Sequence, residues 1–243
     1  MKNNNYDMKN LNTYVQENTC VNEKLVIVHN RYSRAPKTRE ELKEILKERL
    51  KKNSDADLND IDVSNIRDMS YLFDNLDPHN IDISKWDVSN VQDMSGMFFN
   101  CKNFNSDLNR WDVSKVNNMY YMFFYCYNFN SDLSGWDVSN VKNTQDMFGG
   151  CKNFNSDLSR WNVSNVIDMS WMFDGCINFN SDLSNWDVSR AKDIRFMFNI
   201  CTKFNSDLSG WNVSKSTDIM NMFAGCDSMK ERPKWYDKIR KLR

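Results

Sequence analysis

Trp86, Trp111, Trp136, Trp161, Trp186 and Trp211 follow one another at intervals of 25 residues. Phe73, Phe98, Phe123, Phe148, Phe173, Phe198 and Phe223 keep the same period in a second register, and Cys101, Cys126, Cys151, Cys176, Cys201 and Cys226 keep it in a third. A unit this short cannot bury its own apolar side chains, so a strict repeat must bury them against copies of itself. Seven units run without insertion from about Leu58 to about Met229, with Ile61 taking the tryptophan place in the first. The chain therefore divides into an N-terminal segment (1–57), the repeats (58–229) and a C-terminal cap (230–243).

One unit, "SDLNRWDVSKVNNMYYMFFYCYNFN" from Ser106 to Asn130, has two kinds of periodicity. Leu108, Trp111 and Val113 give L-x-x-W-x-V, whose last three residues alternate as a short strand requires. Asn118 and its equivalents Asp68, Asp93, Asn143, Asp168, Asp193 and Asp218 can each accept from the free N–H groups of a first helical turn. Met119, Met122, Phe123 and Cys126 then come at i, i+3, i+4 and i+7, the spacing of one helical face. Strand then capped helix predicts an α/β solenoid, with short parallel strands on one side and short helices on the other. Asn80, Asn105, Asn130, Asn155, Asn180 and Asn205 form a further ladder, whose amides suit main-chain groups from coil to coil.

A repeat stack needs its ends covered. In "PKTREELKEILKERLKKN", Thr38 and Glu41 make a capping box, and Leu42, Ile45, Leu46 and Leu50 make an apolar stripe. "KLVIVHN", residues 24–30, could add an edge strand, while residues 1–20 are Asn-rich. "PKWYDKIRKLR" places Trp235, Ile239 and Leu242 at helical spacing to close the other end, or else forms a basic tail for an acidic partner.

Charge and composition narrow the function. The net charge of −1 hides basic ends, +4 over 1–56 and +5 over 230–243, around a body over 57–229 of −10 that repels phosphate backbones. Nucleic acid is not expected as a partner, nor membrane insertion, since no stretch approaches the roughly 18 apolar residues of a spanning helix. The start lacks the apolar core of a secretory leader, which leads to the expectation of a cytoplasmic protein. The six cysteines in register, set among Met and Phe, read as buried free thiols rather than disulfides or metal ligands. With only His29 and His79, no catalytic triad or cysteine–histidine pair can be assembled. No enzyme, cofactor or metal site is expected.

The phrase W-D-V-S-N-V, then D-M, M-F, C and F-N-x-D-L-S, resembles the BspA-like leucine-rich-repeat family of bacterial proteins over about 58–229. The resemblance implies a right-handed leucine-rich-repeat solenoid and, for many members, surface display, adhesion or binding to host proteins. A cell-surface location is thus the alternative to the cytoplasm.

Two surfaces are candidate binding sites. "NMYYMFFYCYNFN", residues 118–130, holds seven aromatics, of which the repeat template requires only Phe123 and Phe129. On a helical wheel Tyr121 and Tyr125 point outward, and Tyr71, Trp171 and Phe196 stand in the same outer row. Contiguous exposed aromatics anchor interfaces, so this row is the first candidate. Tyr120, Phe124 and Tyr127 either belong to it or fill gaps between neighbouring helices. The second candidate is the exposed strip beside the inward Trp and Val: Lys85, Asp87, Arg110, Asp112, Asp137, Arg160 and Asp187. In leucine-rich repeats, the resemblance adds, partners often use that face. The function expected is a non-catalytic module for adhesion or for binding a protein or a second copy of itself; the alternative is a structural spacer without a dedicated ligand.

Overall fold

Rings stacked in register set the dimensions of the protein. The indoles of Trp136 and Trp161 lie 6.4 Å apart and 2° from parallel, and those of Trp161 and Trp186 6.4 Å apart and 0°. Phe123, Phe148 and Phe173 stack at 5.6 Å, each with a second phenyl ring about 4 Å away, Phe129, Phe154 and Phe179 respectively. Each indole Nε1 donates to a carbonyl of the preceding coil, as Trp136 does to Leu108 at 3.0 Å and Trp161 to Leu133 at 3.0 Å. The tryptophans are therefore buried without an orphaned donor. This structure is a computed structural model that describes residues 32–242, within one compact unit running from 31 to 243. The expected strand at 24–30 and the Asn-rich start lie outside the described residues.

Two α-helices sit at the ends of the repeats. Helix α1, Arg39–Lys52, is capped by the Thr38 hydroxyl, which accepts from the Glu41 N–H at 3.1 Å. It buries Leu42, Leu46 and Leu50, and Arg49 grips Asp60 of the first coil through two hydrogen bonds of 3.0 and 3.1 Å. Helix α2, Lys234–Arg240, brings Trp235 onto Trp211 at 6.3 Å, and its Nε1 donates to the Leu208 carbonyl at 2.8 Å. The cap thus extends the tryptophan ladder by one rung.

Between them the expected architecture is overturned. Among the described residues there is no helix besides α1 and α2 and no strand; the coils consist of turns joined by isolated parallel bridges, one of them the series Asp68, Asp93, Asn118, Asn143, Asp168, Asp193 and Asp218. The α/β leucine-rich-repeat solenoid of strands and helices is not what forms. Leu108–Trp111 and Val113–Val116 close as turns, with N–H to carbonyl distances of 3.1 and 2.9 Å, where the alternation predicts a strand.

The missing helix has a definite cause. Asn118 does accept from an N–H two residues on, Tyr120 at 3.2 Å, as an N-cap would. The backbone beyond Tyr120 is not helical, because Tyr121 and Tyr125 have φ of 58° and 60°. Alternate N–H groups then point along the stack: Met119, Tyr121, Phe123 and Tyr125 donate to Asn143, Gln145, Met147 and Gly149 at 2.9, 3.0, 2.9 and 2.7 Å. The groups between close turns, Met122 to Met119 at 3.2 Å and Phe124 to Tyr121 at 3.1 Å. Successive turns bury Met119, Met122, Phe123 and Cys126 at the spacing of a helix without being one. Packed helices need about 8–10 Å between axes. Coils whose phenyl rings stack at 5.6 Å leave no room for them.

Side chains complete the ladders. Asn130, Asn155 and Asn180 each present Oδ1 to the backbone N–H of the next asparagine at 2.8, 2.7 and 2.8 Å. Cys126 and Cys151 donate their thiols to the carbonyls of Phe98 and Phe123 at 3.0 Å. Burial pushes the six cysteine pKa values upward, that of Cys226 to about 12. With Cys20 changed to serine, native protein at pH 8 is expected to alkylate about a hundredfold or more slowly than a free thiol, and denaturant to restore all six. Mass spectrometry of iodoacetamide-treated protein checks this.

Candidate functional site

The outer row forms where the backbone is left-handed. Tyr71, Tyr121, Trp171 and Phe196 have φ of 49°, 58°, 59° and 54°, and their equivalents Gly96, Asp146 and Asn221 have 58°, 53° and 51°. A second left-handed column contains Asn100, Tyr125, Gly150, Gly175, Ile200 and Gly225. Side chains in these columns leave the core, since the inward positions are taken by Met, Phe and Cys.

Tyr71, Tyr121 and Tyr125 belong to one aromatic cluster, although they do not meet as helical neighbours. Tyr71 reaches Phe99 at 6.1 Å, and Phe99 reaches Tyr121 at 5.8 Å and Phe124 at 5.5 Å. Phe124 touches both Tyr121, at 4.7 Å, and Tyr125, at 4.0 Å. Tyr120 lies 3.9 Å from Tyr121, and Tyr127 lies 5.9 Å from Tyr125. Tyr71 and Tyr125 are 36% and 43% exposed, so the cluster has a wet outer surface. Trp171 and Phe196 make a second group, stacked at 3.9 Å and 9°.

Glycines seat the rings. A Cβ on Gly96 would fall 2.3 Å from the Tyr71 ring, one on Gly149 2.8 Å from Phe124, and one on Gly150 2.3 Å from Tyr125. Each aromatic leans over the next coil. Phe124 packs over Gly149 of the next coil, and among the described residues the coils have no neighbouring helices between which it could fill a gap.

Sequence reasoning missed three members of this face. Phe99 joins Tyr71 to the rest. Asp146, only 6% exposed, comes after Tyr121 in the outer column and before Trp171; burial and the nearby carboxylate of Asp174 push its pKa up to about 7. Asp174, half-buried, is also raised by burial, although it accepts from the Asn199 amide at 2.7 Å. Writing the chain in rows of 25 places both carboxylates among the rings; a search confined to aromatics passes over them.

The alternative strip exists, but on turns and not on a sheet. Asp87, Asp112, Asp137 and Asp187 each accept from the serine N–H two residues on, at 3.1, 3.0, 3.0 and 3.0 Å. The Ser114 and Ser189 hydrogen bonds hold Asp112 and Asp187 below the usual carboxylate range. These carboxylates close the backbone, which occupies part of their bonding capacity. Lys85, Arg110 and Arg160 are exposed beside them. Two surface hollows, beside Thr38 and Asp68 and beside Asn80 and Asp107, include no residue of either candidate surface. No cluster of potential metal ligands occurs among the described residues, and no helix among them is long and apolar enough to cross a membrane.

A column of 25-residue coils with helices at its ends and side chains displayed in rows defines a repeat protein. The chain belongs to the family described as Mycoplasma protein of unknown function, DUF285, which matches residues 40–152 and again 128–236. The two matches overlap over 128–152, one period of the repeat. Comparison with curated proteins and with solved structures yields no significant match.

Proposed function

We propose that the chain is a non-catalytic protein-binding module whose contact surface is the aromatic face. The observation that carries this reading is the continuous path of rings from Tyr71 through Phe99, Tyr121 and Phe124 to Tyr125, with its outer ends in water. Exposed contiguous aromatics cost solubility and supply interface anchors. Ile200 adds to the case, being β-branched at a φ of 57° and half exposed, where three coils place glycine. Strain of about 1–2 kcal/mol at a surface position points to a use outside the fold.

The seating of Tyr71, Phe124 and Tyr125 on glycines favours a second reading, a spacer whose rings only join coil to coil. Immobilised protein carrying Tyr121→Ala and Trp171→Ala, compared with Asp112→Asn and Asp137→Asn, separates the two in a pull-down from its own cells. Loss of a stoichiometric partner with the aromatic pair alone supports the binding module. Loss with the aspartate pair alone moves the site to the other face, and no partner for the unaltered protein leaves the spacer. BspA-like kinship, resting on the W-D-V-S-N-V phrase, is proposed alongside, and with it adhesion at a cell surface; recovery only from the cytosolic fraction would count against that location.

A further inference from the structure

The aromatic face is interrupted where its charge is concentrated. At coils four and five the two columns that elsewhere hold Phe99, Phe124 and Tyr125 are occupied by Gly149, Gly150 and Gly175, together with Asp174. A Cβ on Gly175 would meet only the backbone of Gly150, at 3.7 and 3.8 Å, so the position is open to the outside. Tyr121 and Tyr125 stand on the third coil, just before this step, and Trp171 stands on its fifth coil, stacked on Phe196 of the sixth. Neither Asp146 nor Asp174 forms an ion pair among the described residues.

We propose that this step receives a lysine or arginine side chain of a protein partner, with Tyr121 and Trp171 as aromatic walls and Asp146 and Asp174 as counter-charges. The proposal rests on the protein-binding reading and names the chemistry of the partner. Three observations point to a cation. Residues 57–229 carry a net charge of −10, which attracts basic segments and repels acidic ones. The face already holds one cation over a ring, Lys152 Nζ lying 4.8 Å from the centre of Tyr127. An incoming ammonium or guanidinium would supply the ion pair that the two carboxylates lack.

Acid should weaken this contact. Asp146 faces Tyr121 of the preceding coil, Gln145 beside it, and Asp168, Ser170 and Asp174 of the next coil. With carboxylates as its charged neighbours, its pKa of about 7 places protonation between pH 7.5 and 6, and the protonated form offers no counter-charge.

The test is fluorescence anisotropy with a labelled ten-residue oligolysine at 0.15 M salt, where long-range attraction is screened beyond about 8 Å. Asp146→Asn and Trp171→Ala are each expected to weaken binding about tenfold, whereas Asp112→Asn with Asp137→Asn changes it less than about twofold. Trp171→Phe should recover most of the loss. The unaltered protein should lose affinity from pH 7.5 to 6 and Asp146→Asn should not. Unchanged binding in Asp146→Asn and Trp171→Ala, or equal loss with the Asp112 and Asp137 pair, overturns the proposal. If oligolysine is insensitive while Tyr121→Ala still abolishes capture of a partner, the cation subsite fails and the binding module stands. If the oligolysine results come out as expected but no protein is captured, the cation site stands and the protein as its source fails. Because Asp146→Asn should raise thermal stability, lost binding there cannot be put down to unfolding.

Discussion

Trp136→Ala is expected to lower the free energy of unfolding by about 3–5 kcal/mol, the usual cost of deleting a fully enclosed aromatic. The indole is 3% exposed, stacks on Trp161 at 6.4 Å and approaches Phe123 at 6.4 Å. Its Nε1 also satisfies the Leu108 carbonyl at 3.0 Å, which the substitution leaves buried without that donor. The loss falls in the middle of an array in which each coil is stabilised only by its neighbours, so both halves lose an interface. Urea denaturation monitored by tryptophan fluorescence and far-ultraviolet dichroism should show a lower midpoint and a broadened or split transition. Trp235→Ala, at the end of the same ladder, should cost markedly less, since its indole is only partly buried and no further coil lies beyond it in the array. Equal costs at the two positions would rule out nearest-neighbour stacking as the source of stability.

Asp146→Asn is expected to act in the opposite direction, stabilising the protein by about 2 kcal/mol at pH 8. The carboxyl has a pKa near 7 when folded, against about 3.9 in an unfolded chain. The folded state therefore holds the proton more tightly, and this group favours folding most at low pH. Between about pH 4 and pH 7 that advantage is lost, and above pH 7 the full cost of burying the charge remains. Full conversion of the shift would give about 4 kcal/mol, and partial solvent screening reduces it. Thermal melts of the two proteins from pH 5 to 8 should differ least at the acid end and diverge further as pH rises to about 7. A stabilising substitution at a buried, like-charged carboxylate is what a position held for binding rather than for folding should show.

Much of the candidate site could be read from the chain written in rows of 25. Tyr71, Tyr121, Trp171 and Phe196 share a column in the sequence and share it in the structure. The pairing of rings with glycines was not legible, because Gly96, Gly149 and Gly150 look like neutral absences until Tyr71, Phe124 and Tyr125 are seen lying over them. Nor was the engagement of Asp112 and Asp137 as turn closers, which makes that strip less free than its charge suggests.

The sequence by itself determined which side chains face inward and that each coil lies on the next: the Trp, Phe, Cys and Asn ladders arise from identical residues at an unbroken interval. It also determined the local bond at Asn118, which is the same whether a helix or a turn comes next. Only the tertiary structure decided between those two. Rings stacked at 5.6 Å draw the coils closer than helices can approach, so Tyr121 and Tyr125 enter the left-handed region and their N–H groups bond to the next coil instead of the previous turn. A pattern of buried residues reports which face is dry; the spacing between coils selects the backbone that supplies it.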